Sequence, residues 1–146
     1  MSETLNVCGL TVERGTKLRT CLPVPDTNVK IPLTIINGEN DGPTLLITAG
    51  IHGGEYPGIA AAMELGRDIE PENVAGCLIM MHPVNIQGFW ARREMIVPED
   101  GKNLNRVFPG DPTGTLADKT AYLISNNFFP IADFFVDMHS GDIHES

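Results

Sequence analysis

The sequence has little of what marks secreted, membrane-spanning or disulfide-stabilised proteins. Its three cysteines, Cys8, Cys21 and Cys77, lack CxxC spacing, which predicts neither a disulfide framework nor a thiolate zinc site. We interpret them as free thiols in a reducing cytoplasm. No apolar run reaches about 18 residues, so no membrane span is predicted. Residues 1–5 lack the basic and apolar segments of a secretion signal, which also favours a cytoplasmic protein.

Basic residues are in deficit. The chain has 10 Lys and Arg against 19 Asp and Glu, a formal net charge of −9. This charge argues against non-specific binding to nucleic acid or to an anionic membrane surface. It does not exclude a small anionic substrate, because a local arginine cluster can override the global sign. With 146 residues, 42% hydrophobic and 20% charged, the composition indicates a single globular domain with a hydrophobic core.

The first 40 residues have the composition of β structure interrupted by turns. Val29–Ile36 favours a strand, and Asn37–Gly38 and Asn40–Pro43 are strong turn signals. Thr44–Ala49 is a continuous apolar run of the length expected for a buried strand. We therefore predict one domain with a β-rich lead-in over residues 1–40 and an α/β core over residues 41–146.

Beyond this strand, the pattern alternates between helix and strand. One helix is predicted to begin near Pro57 and another to occupy Thr115–Phe129, while Val74–Met81 and Ala132–Met138 predict further buried strands. Residues 85–113, rich in Gly, Pro, Asn and Arg, predict a long functional loop. The helical residues expected to face the core are Ile59, Ala62, Met63, Ile69, Leu116, Tyr122, Leu123 and Phe128. This order predicts an α/β fold with a mixed, largely parallel sheet and crossover helices.

Candidate metal ligands follow the ends of the predicted strands, where α/β sheets place their chemistry. His52 and Glu55 follow one strand through a turn whose two glycines we expect to leave room for a cation. Catalytic zinc takes three protein ligands, and two His with one Glu form a known set. His139, at another strand end, is the best candidate for the third ligand. Asp137 lies two residues earlier, so strand alternation places it on the same face.

The other histidines have simpler interpretations. An isolated HxxE pattern is weak, since it arises by chance in many helices. His82 precedes Pro83 at a strand end and is expected to be structural. His144 lies near the end of the chain and is expected in a loop, with a role behind a metal ligand left open. His52 and Glu55 are distinguished by their Gly-rich turn directly after a buried strand.

Three separated motifs occur in a recognisable order. They are His52-Gly53-Gly54-Glu55, the segment Gly101–Gly110 and the segment Asp137–Gly141. Together they resemble the succinylglutamate desuccinylase/aspartoacylase family, relatives of the zinc carboxypeptidases, over roughly residues 40–142. The resemblance implies a zinc-carboxypeptidase-like fold.

The resemblance implies roles for individual residues. One Zn²⁺ per chain would be bound by His52, Glu55 and His139. Asn105 and Arg106 would bind the substrate carboxylate, since a guanidinium matches a carboxylate in bidentate fashion. One of two arginines would stabilise the oxyanion of the scissile carbonyl, and the sequence does not choose between Arg92 and Arg93.

Two departures from the family pattern stand out. Asn103 occupies a position where many relatives have an Asp that orients a zinc-bound histidine, and an Asn oxygen still accepts that hydrogen bond without the charge. The family's general base is a Glu well beyond the third ligand, and Glu145 is too close to His139 to be its equivalent. We therefore expect the N-terminal half of a longer enzyme, with the 146-residue chain inactive by itself.

The resemblance implies zinc-dependent hydrolysis of an amide or ester bond in small N-acyl amino acids. The alternatives are a metallocarboxypeptidase acting on short peptides and a non-catalytic zinc-binding fragment. The expected partner is a small carboxylate substrate, with neither nucleic acid nor membrane, and self-association into a homo-oligomer stays open. The acyl group and the amino acid are not predicted.

Overall fold

The computed structural model describes residues 4–141 as seven strands and three α-helices. The strands are β1 Thr4–Val7, β2 Leu10–Glu13, β3 Thr16–Pro23, β4 Lys30–Asn37, β5 Asn40–Ala49, β6 Ala75–Met81 and β7 Phe134–Met138. The α-helices are α1 Tyr56–Asp68, α2 Ile86–Ala91 and α3 Leu116–Asn127, with 3₁₀ turns at Pro71–Asn73, Leu104–Arg106 and Phe129–Ile131. The predicted α/β fold is confirmed, and the predicted loop at 85–113 contains α2 and one 3₁₀ turn.

Five strands form one mixed sheet in the order β3-β4-β6-β5-β7, and β1 and β2 form a separate antiparallel hairpin. The β3–β4 and β4–β6 pairs are antiparallel, whereas β5 pairs in parallel with both β6 and β7. Parallel pairing is therefore confined to β5, β6 and β7. The predicted lead-in is part of the same sheet, since it contributes β3 and β4.

The turn predicted at Asn40–Pro43 is wrong, because these residues belong to β5. Asn40 pairs with Ala75 and the next pair is Thr44 with Cys77, so β5 bulges between them. The bulge brings two backbones together: a Cβ on Gly42 would lie 2.5 Å from the Ala75 carbonyl atoms. Turn-forming residues here therefore serve an irregularity inside a strand.

Helix α1 approaches the sheet through small residues at four-residue spacing, Gly58, Ala62 and Gly66, all buried together with Ile59. A Cβ on Gly66 would lie 3.1 Å from the Thr34 hydroxyl oxygen, so the helix lies close against β4. The prediction that Met63 faces the core is wrong, since Met63 is 47% exposed. The reason is that the buried stripe follows the small residues, and Met63 lies beside that stripe.

Helix α3 packs into the larger of two hydrophobic clusters, through residues that include Leu116, Leu123 and Phe128. Tyr122, also predicted to face the core, is half-buried. The smaller cluster contains Ile36, Ile47, Val74 and Met80, with Ile69 packed against it. Among the helices of residues 4–141, none combines the length and the hydropathy that a membrane span requires.

Strand β7 is an exposed edge strand, so the prediction of a buried strand at Ala132–Met138 is wrong. Phe134, Phe135 and Val136 are 62%, 47% and 45% exposed. Within the described part of the chain, β7 pairs only with β5. Its apolar composition is the same as that of a buried strand. The prediction failed because composition does not reveal which strands have neighbours on both sides.

Candidate metal centre

The sheet register brings the predicted ligands to one edge. In the parallel pairing of β5 with β7, Ala49 lies opposite Met138. His139 follows β7 directly, and His52 follows β5 by three residues. Glu55 is the residue immediately before α1, so the turn from β5 into α1 carries both His52 and Glu55.

His52, Glu55 and His139 form a compact group in which one potential ligand atom from each lies within 4.8 Å of the others. The Glu55 carboxylate lies between the two imidazoles. Its Oε1 is 2.8 Å from His52 Nδ1, and its Oε2 is 2.9 Å from His139 Nδ1. His52 and Glu55 are each 8% exposed. Two imidazole nitrogens and a carboxylate are donors that suit a divalent transition metal such as zinc.

Each histidine is held from behind through its other ring nitrogen. His139 Nε2 lies 2.8 Å from Asp137 Oδ2, and His52 Nε2 lies 3.1 Å from Asn103 Oδ1. A proton on Nε2 donates to that oxygen, and the Nδ1 lone pair would then be available to a metal ion bound together with Glu55. Such partners behind the ligands are typical of metal-binding histidines, whose orientation they determine.

The charge around His139 favours a bound cation. Burial lowers the pKa of His139, but the hydrogen bond and charge of Asp137, together with Glu55, more than offset it, so the pKa is raised. Two carboxylates therefore stabilise a positive charge at this imidazole. A metal ion bound there would compete with the proton, which couples metal binding to pH.

Asn103 links the group of His52, Glu55 and His139, called here the metal-ligand group, to the predicted substrate-binding segment. Its Oδ1 contacts His52 and also accepts the backbone N–H of Asn105 at 2.9 Å. The 3₁₀ turn that follows is anchored by Leu104, which is fully buried. Arg106 is exposed, and its Nη1 donates to the Asn105 carbonyl at 3.2 Å. Asn105 and Arg106 therefore lie one short turn away from a residue that contacts His52.

The two arginines predicted to stabilise an oxyanion are both exposed, in the segment that follows α2. Residues Arg92–Ile96 line an open depression of about 410 Å³. The Gly54 N–H donates to the Glu94 carbonyl at 3.4 Å, so this segment lies against the ligand turn, the turn from β5 into α1 that carries His52 and Glu55. This backbone contact brings the segment beside the ligand turn, and it does not distinguish Arg92 from Arg93.

Gly53 has a packing role that the sequence did not predict. A Cβ at this position would lie 2.3 Å from the backbone nitrogen of Phe89 and 2.4 Å from the carbonyl carbon of Gly88. Gly53 is therefore required because α2 packs directly against the ligand turn. This packing also holds the start of the Arg92–Ile96 segment beside the metal-ligand group.

Two hydroxyl residues near the ligands were not predicted from the sequence. The Thr48 hydroxyl donates to Asp137 Oδ1 at 2.7 Å. Ser140 donates its backbone N–H to Glu55 Oε2 at 3.4 Å, and its Oγ accepts the Gly58 N–H at 3.4 Å. A signal for Thr48 existed, because a hydroxyl inside an otherwise apolar strand needs a buried partner.

The remaining candidates lie apart from the group. His82 is buried, and its Nε2 lies 2.9 Å from the Thr34 hydroxyl oxygen, as a structural histidine would. Burial lowers the pKa of His82. The three cysteines are free thiols, as predicted. His144 and Glu145 lie outside the described residues.

Comparison with known proteins identifies close relatives. Residues 41–145 match the succinylglutamate desuccinylase/aspartoacylase catalytic domain. An N-alpha-acetyl-L-2,4-diaminobutyric acid deacetylase of Halomonas elongata is 41% identical over 113 residues, covering 77% of this chain and 32% of the relative. This chain therefore spans about a third of the length of that curated relative.

Solved structures agree in fold. A succinylglutamate desuccinylase/aspartoacylase from Rhodobacter sphaeroides matches with a TM-score of 0.78 and 36% identity, over 86% of this chain and 40% of the other. The product-bound ectoine utilization protein EutE (DoeB) from Ruegeria pomeroyi matches with a TM-score of 0.73 and 43% identity, over 77% of this chain and 34% of the other. The α/β fold of this chain is therefore also found in these solved structures.

Proposed function

The chain belongs to the succinylglutamate desuccinylase/aspartoacylase family, and from that premise we propose that it contributes the zinc site of a deacylase acting on small N-acyl amino acids. The observation that supports the proposal most is the group His52, Glu55 and His139, with an oxygen behind each imidazole. The fold alone would not support it, because one fold can serve many functions.

The donor set fits zinc. Three protein ligands leave room for a fourth, as catalytic zinc sites require. When bound, zinc would lower the pKa of a coordinated water and polarise an acyl carbonyl. Asp137 and Asn103 contact the far side of the two imidazoles and would keep their Nδ1 atoms available to the ion. Glu55, buried between the imidazoles, would supply negative charge to it.

In this proposal, substrate binding depends on three exposed arginines. Arg106 would bind the substrate carboxylate through its planar guanidinium, with Asn105 as a second donor. Either Arg92 or Arg93 would stabilise charge that develops on the carbonyl oxygen. Exposure of all three arginines leaves them accessible to a small anionic ligand from solvent.

The relatives favour one substrate class within the family. The Halomonas relative is named for deacetylation of an Nα-acetyl diamino acid, and the Ruegeria relative for ectoine utilization. Both share more than 40% identity with this chain over at least 77% of its length. We therefore propose N-acetyl amino acids, with Nα-acetyl-2,4-diaminobutyrate first among them, as substrates of the intact protein in the cytoplasm.

A substrate panel tests the proposal. The zinc-loaded intact protein is assayed for amine release from Nα-acetyl-2,4-diaminobutyrate, N-acetylaspartate, N-succinylglutamate and a dipeptide. We expect turnover of at least one acyl amino acid and none of the dipeptide. Preference for the dipeptide would instead support a carboxypeptidase, and no turnover of any member would contradict the proposed function.

The Arg106→Lys variant tests the carboxylate anchor on the best substrate of the panel. Lysine keeps the charge but loses the bidentate geometry, so we expect kcat/KM to fall by more than ~10-fold, about 1.4 kcal/mol. Arg67→Lys, on the exposed α1 surface, is the matched control and should leave kcat/KM unchanged. Unchanged kinetics in Arg106→Lys would place the anchor elsewhere.

A further inference from the structure

Thr48 is a polar side chain where the sequence would otherwise be apolar. It lies in the buried part of β5, between Ile47 and Ala49, and is 1% exposed. A hydroxyl at such a position costs stability unless it is hydrogen-bonded. Its donated bond goes to Asp137 Oδ1 at 2.7 Å, 89 residues away in the sequence.

The contact is built into the sheet register. Thr48 and Asp137 are directly paired residues of the parallel strands β5 and β7, so their side chains lie on the same face. The two oxygens of Asp137 are used separately, since Oδ1 accepts from Thr48 and Oδ2 faces His139 Nε2 at 2.8 Å. One carboxylate therefore joins a buried hydroxyl to a metal-ligand candidate.

The second hydrogen bond matters because of the torsion of an aspartate. Rotation of the carboxylate about χ2 is broad and has no sharp staggered minima. A bond to Oδ2 alone would let the carboxylate plane turn, and His139 Nδ1 would then move relative to Glu55. A donor held by a buried strand prevents this rotation.

We propose that Thr48 is a positioning residue for the metal centre: it orients Asp137, which in turn orients His139 toward the ion. The inference rests on the zinc site of the proposed function. Removing the hydroxyl also leaves more of the Asp137 negative charge available to His139, which acts in the opposite direction by strengthening that hydrogen bond. We expect loss of orientation to dominate, so that zinc affinity falls.

The chain contains a matched control in Thr34. It is also 1% exposed, lies in the same sheet, and contacts a histidine, His82, at 2.9 Å. His82 is outside the metal-ligand group. Thr48→Val and Thr34→Val therefore both replace a buried sheet hydroxyl by a methyl group, and only Thr48→Val affects a contact with the proposed site.

The first measurement is zinc affinity of the intact protein, by competition with a chromophoric chelator. Direct partners of a ligand typically change affinity by ~10–100-fold, so for the more remote Thr48→Val we expect weaker binding by about 3–10-fold. Thr48→Ser, which keeps the hydroxyl, should restore affinity, and Thr34→Val should stay within about twofold of wild type. Unchanged or tighter zinc binding by Thr48→Val would overturn the inference.

A double-mutant cycle separates positioning from general damage. If Thr48 acts through Asp137, Thr48→Val should have no further effect on zinc affinity in an Asp137→Ala background. An equal loss in both backgrounds would mean that the valine harms the fold rather than the orientation of His139. Thermal unfolding of each variant reports whether the protein is folded in the assay.

A second readout does not depend on zinc. In metal-free, ¹⁵N-histidine-labelled protein, the Nε2–H signal of His139 reports its hydrogen bond to Asp137 directly. We expect Thr48→Val to broaden or abolish this signal and Thr48→Ser to retain it. Absence of zinc binding in the wild type would refute the proposed function alone, whereas an unaltered Nε2–H signal in Thr48→Val would refute the role of Thr48.

Discussion

At the residue scale, each candidate metal ligand is paired with a second group. Glu55 contacts both imidazoles, and each imidazole has an oxygen on its far side. The partners differ in charge, because Asp137 behind His139 is an acid and Asn103 behind His52 is an amide. The ligand set leads to one prediction about metal binding, and this asymmetry leads to a second.

Removing a ligand should abolish stoichiometric zinc. His52→Ala deletes a buried nitrogen donor, and two remaining ligands bind zinc far more weakly than three. Elemental analysis after dialysis against a limited amount of chelator should find one zinc per wild-type chain and less than about a tenth in the variant. His82→Gln is the control, because His82 is equally buried but outside the group. Equal zinc in wild type and His52→Ala would refute the assignment.

Restoring the acid behind His52 should strengthen zinc binding. Asn103→Asp replaces the oxygen that contacts His52 Nε2 with a charged one, which makes the imidazole a more basic ligand. We expect the zinc Kd to fall by about 10-fold, within the range that such partners produce. Asn127→Asp, at the end of α3, adds the same charge away from the site. A Kd that rises in Asn103→Asp would show that its amide group is required.

At the element scale, the start of α3 is stabilised by one carboxylate. Asp118 accepts hydrogen bonds from the Lys102 side chain and from the Thr115 backbone N–H and hydroxyl, forming a capping box. These contacts, with Lys102 the strongest, lower the pKa of Asp118 to about 2. Lys102 lies one residue before Asn103, so the same contact ties α3 to the segment beside His52.

The Asp118 carboxylate should, through its charge, make the free energy of unfolding depend on pH. Its pKa is lower in the folded than in the unfolded protein, so its contribution is complete above an unfolded pKa of 3.8 and is lost as pH falls toward about 2. Asp118→Asn should therefore reduce the free energy of unfolding by about 1 kcal/mol at pH 7 and by less at pH 3.

Denaturant unfolding of wild type and Asp118→Asn at the two pH values measures this difference. Asp26→Asn removes an exposed carboxylate from the turn after β3 and serves as the control, with little change at either pH. A loss of the same size at pH 7 and pH 3 would show that the charge of Asp118 is not what stabilises α3.

At the scale of the whole molecule, β7 has two tasks. Its carboxyl end delivers Asp137 and His139 to the site, and its remaining residues present an apolar edge. Phe129 extends this apolar surface, because its ring centroid lies 5.0 Å from that of Phe135 in β7. Exposed apolar edge strands are sites at which chains associate.

The 146-residue polypeptide should therefore self-associate through β7. Val136→Lys places a charge on the edge strand, 45% exposed in the structure, and should weaken association by at least about tenfold. Sedimentation velocity over a concentration series measures it. Met63→Lys introduces the same charge at a similarly exposed apolar position on α1, and an equal effect there would rule out a specific role for β7.

Features that depend on short stretches of chain could be predicted from the sequence. His52 and Glu55 are three residues apart in one turn, so their convergence could be predicted from spacing and from the strand before them. The α/β class followed from alternating periodicities, and the place of Asp137 on the same face as His139 followed from strand alternation. Each of these inferences uses geometry that is local to a strand, a turn or a helix.

Features that depend on the register and order of distant strands could not be predicted in this way and became visible in the three-dimensional structure. Thr48 meets Asp137 across 89 residues, and no local pattern encodes that pairing. The exposure of Phe134 and Phe135 reflects the place of β7 in the sheet, and the need for Gly53 reflects the approach of α2. Strand order and helix docking minimise the free energy of the whole chain, so they are not specified by any one segment of it.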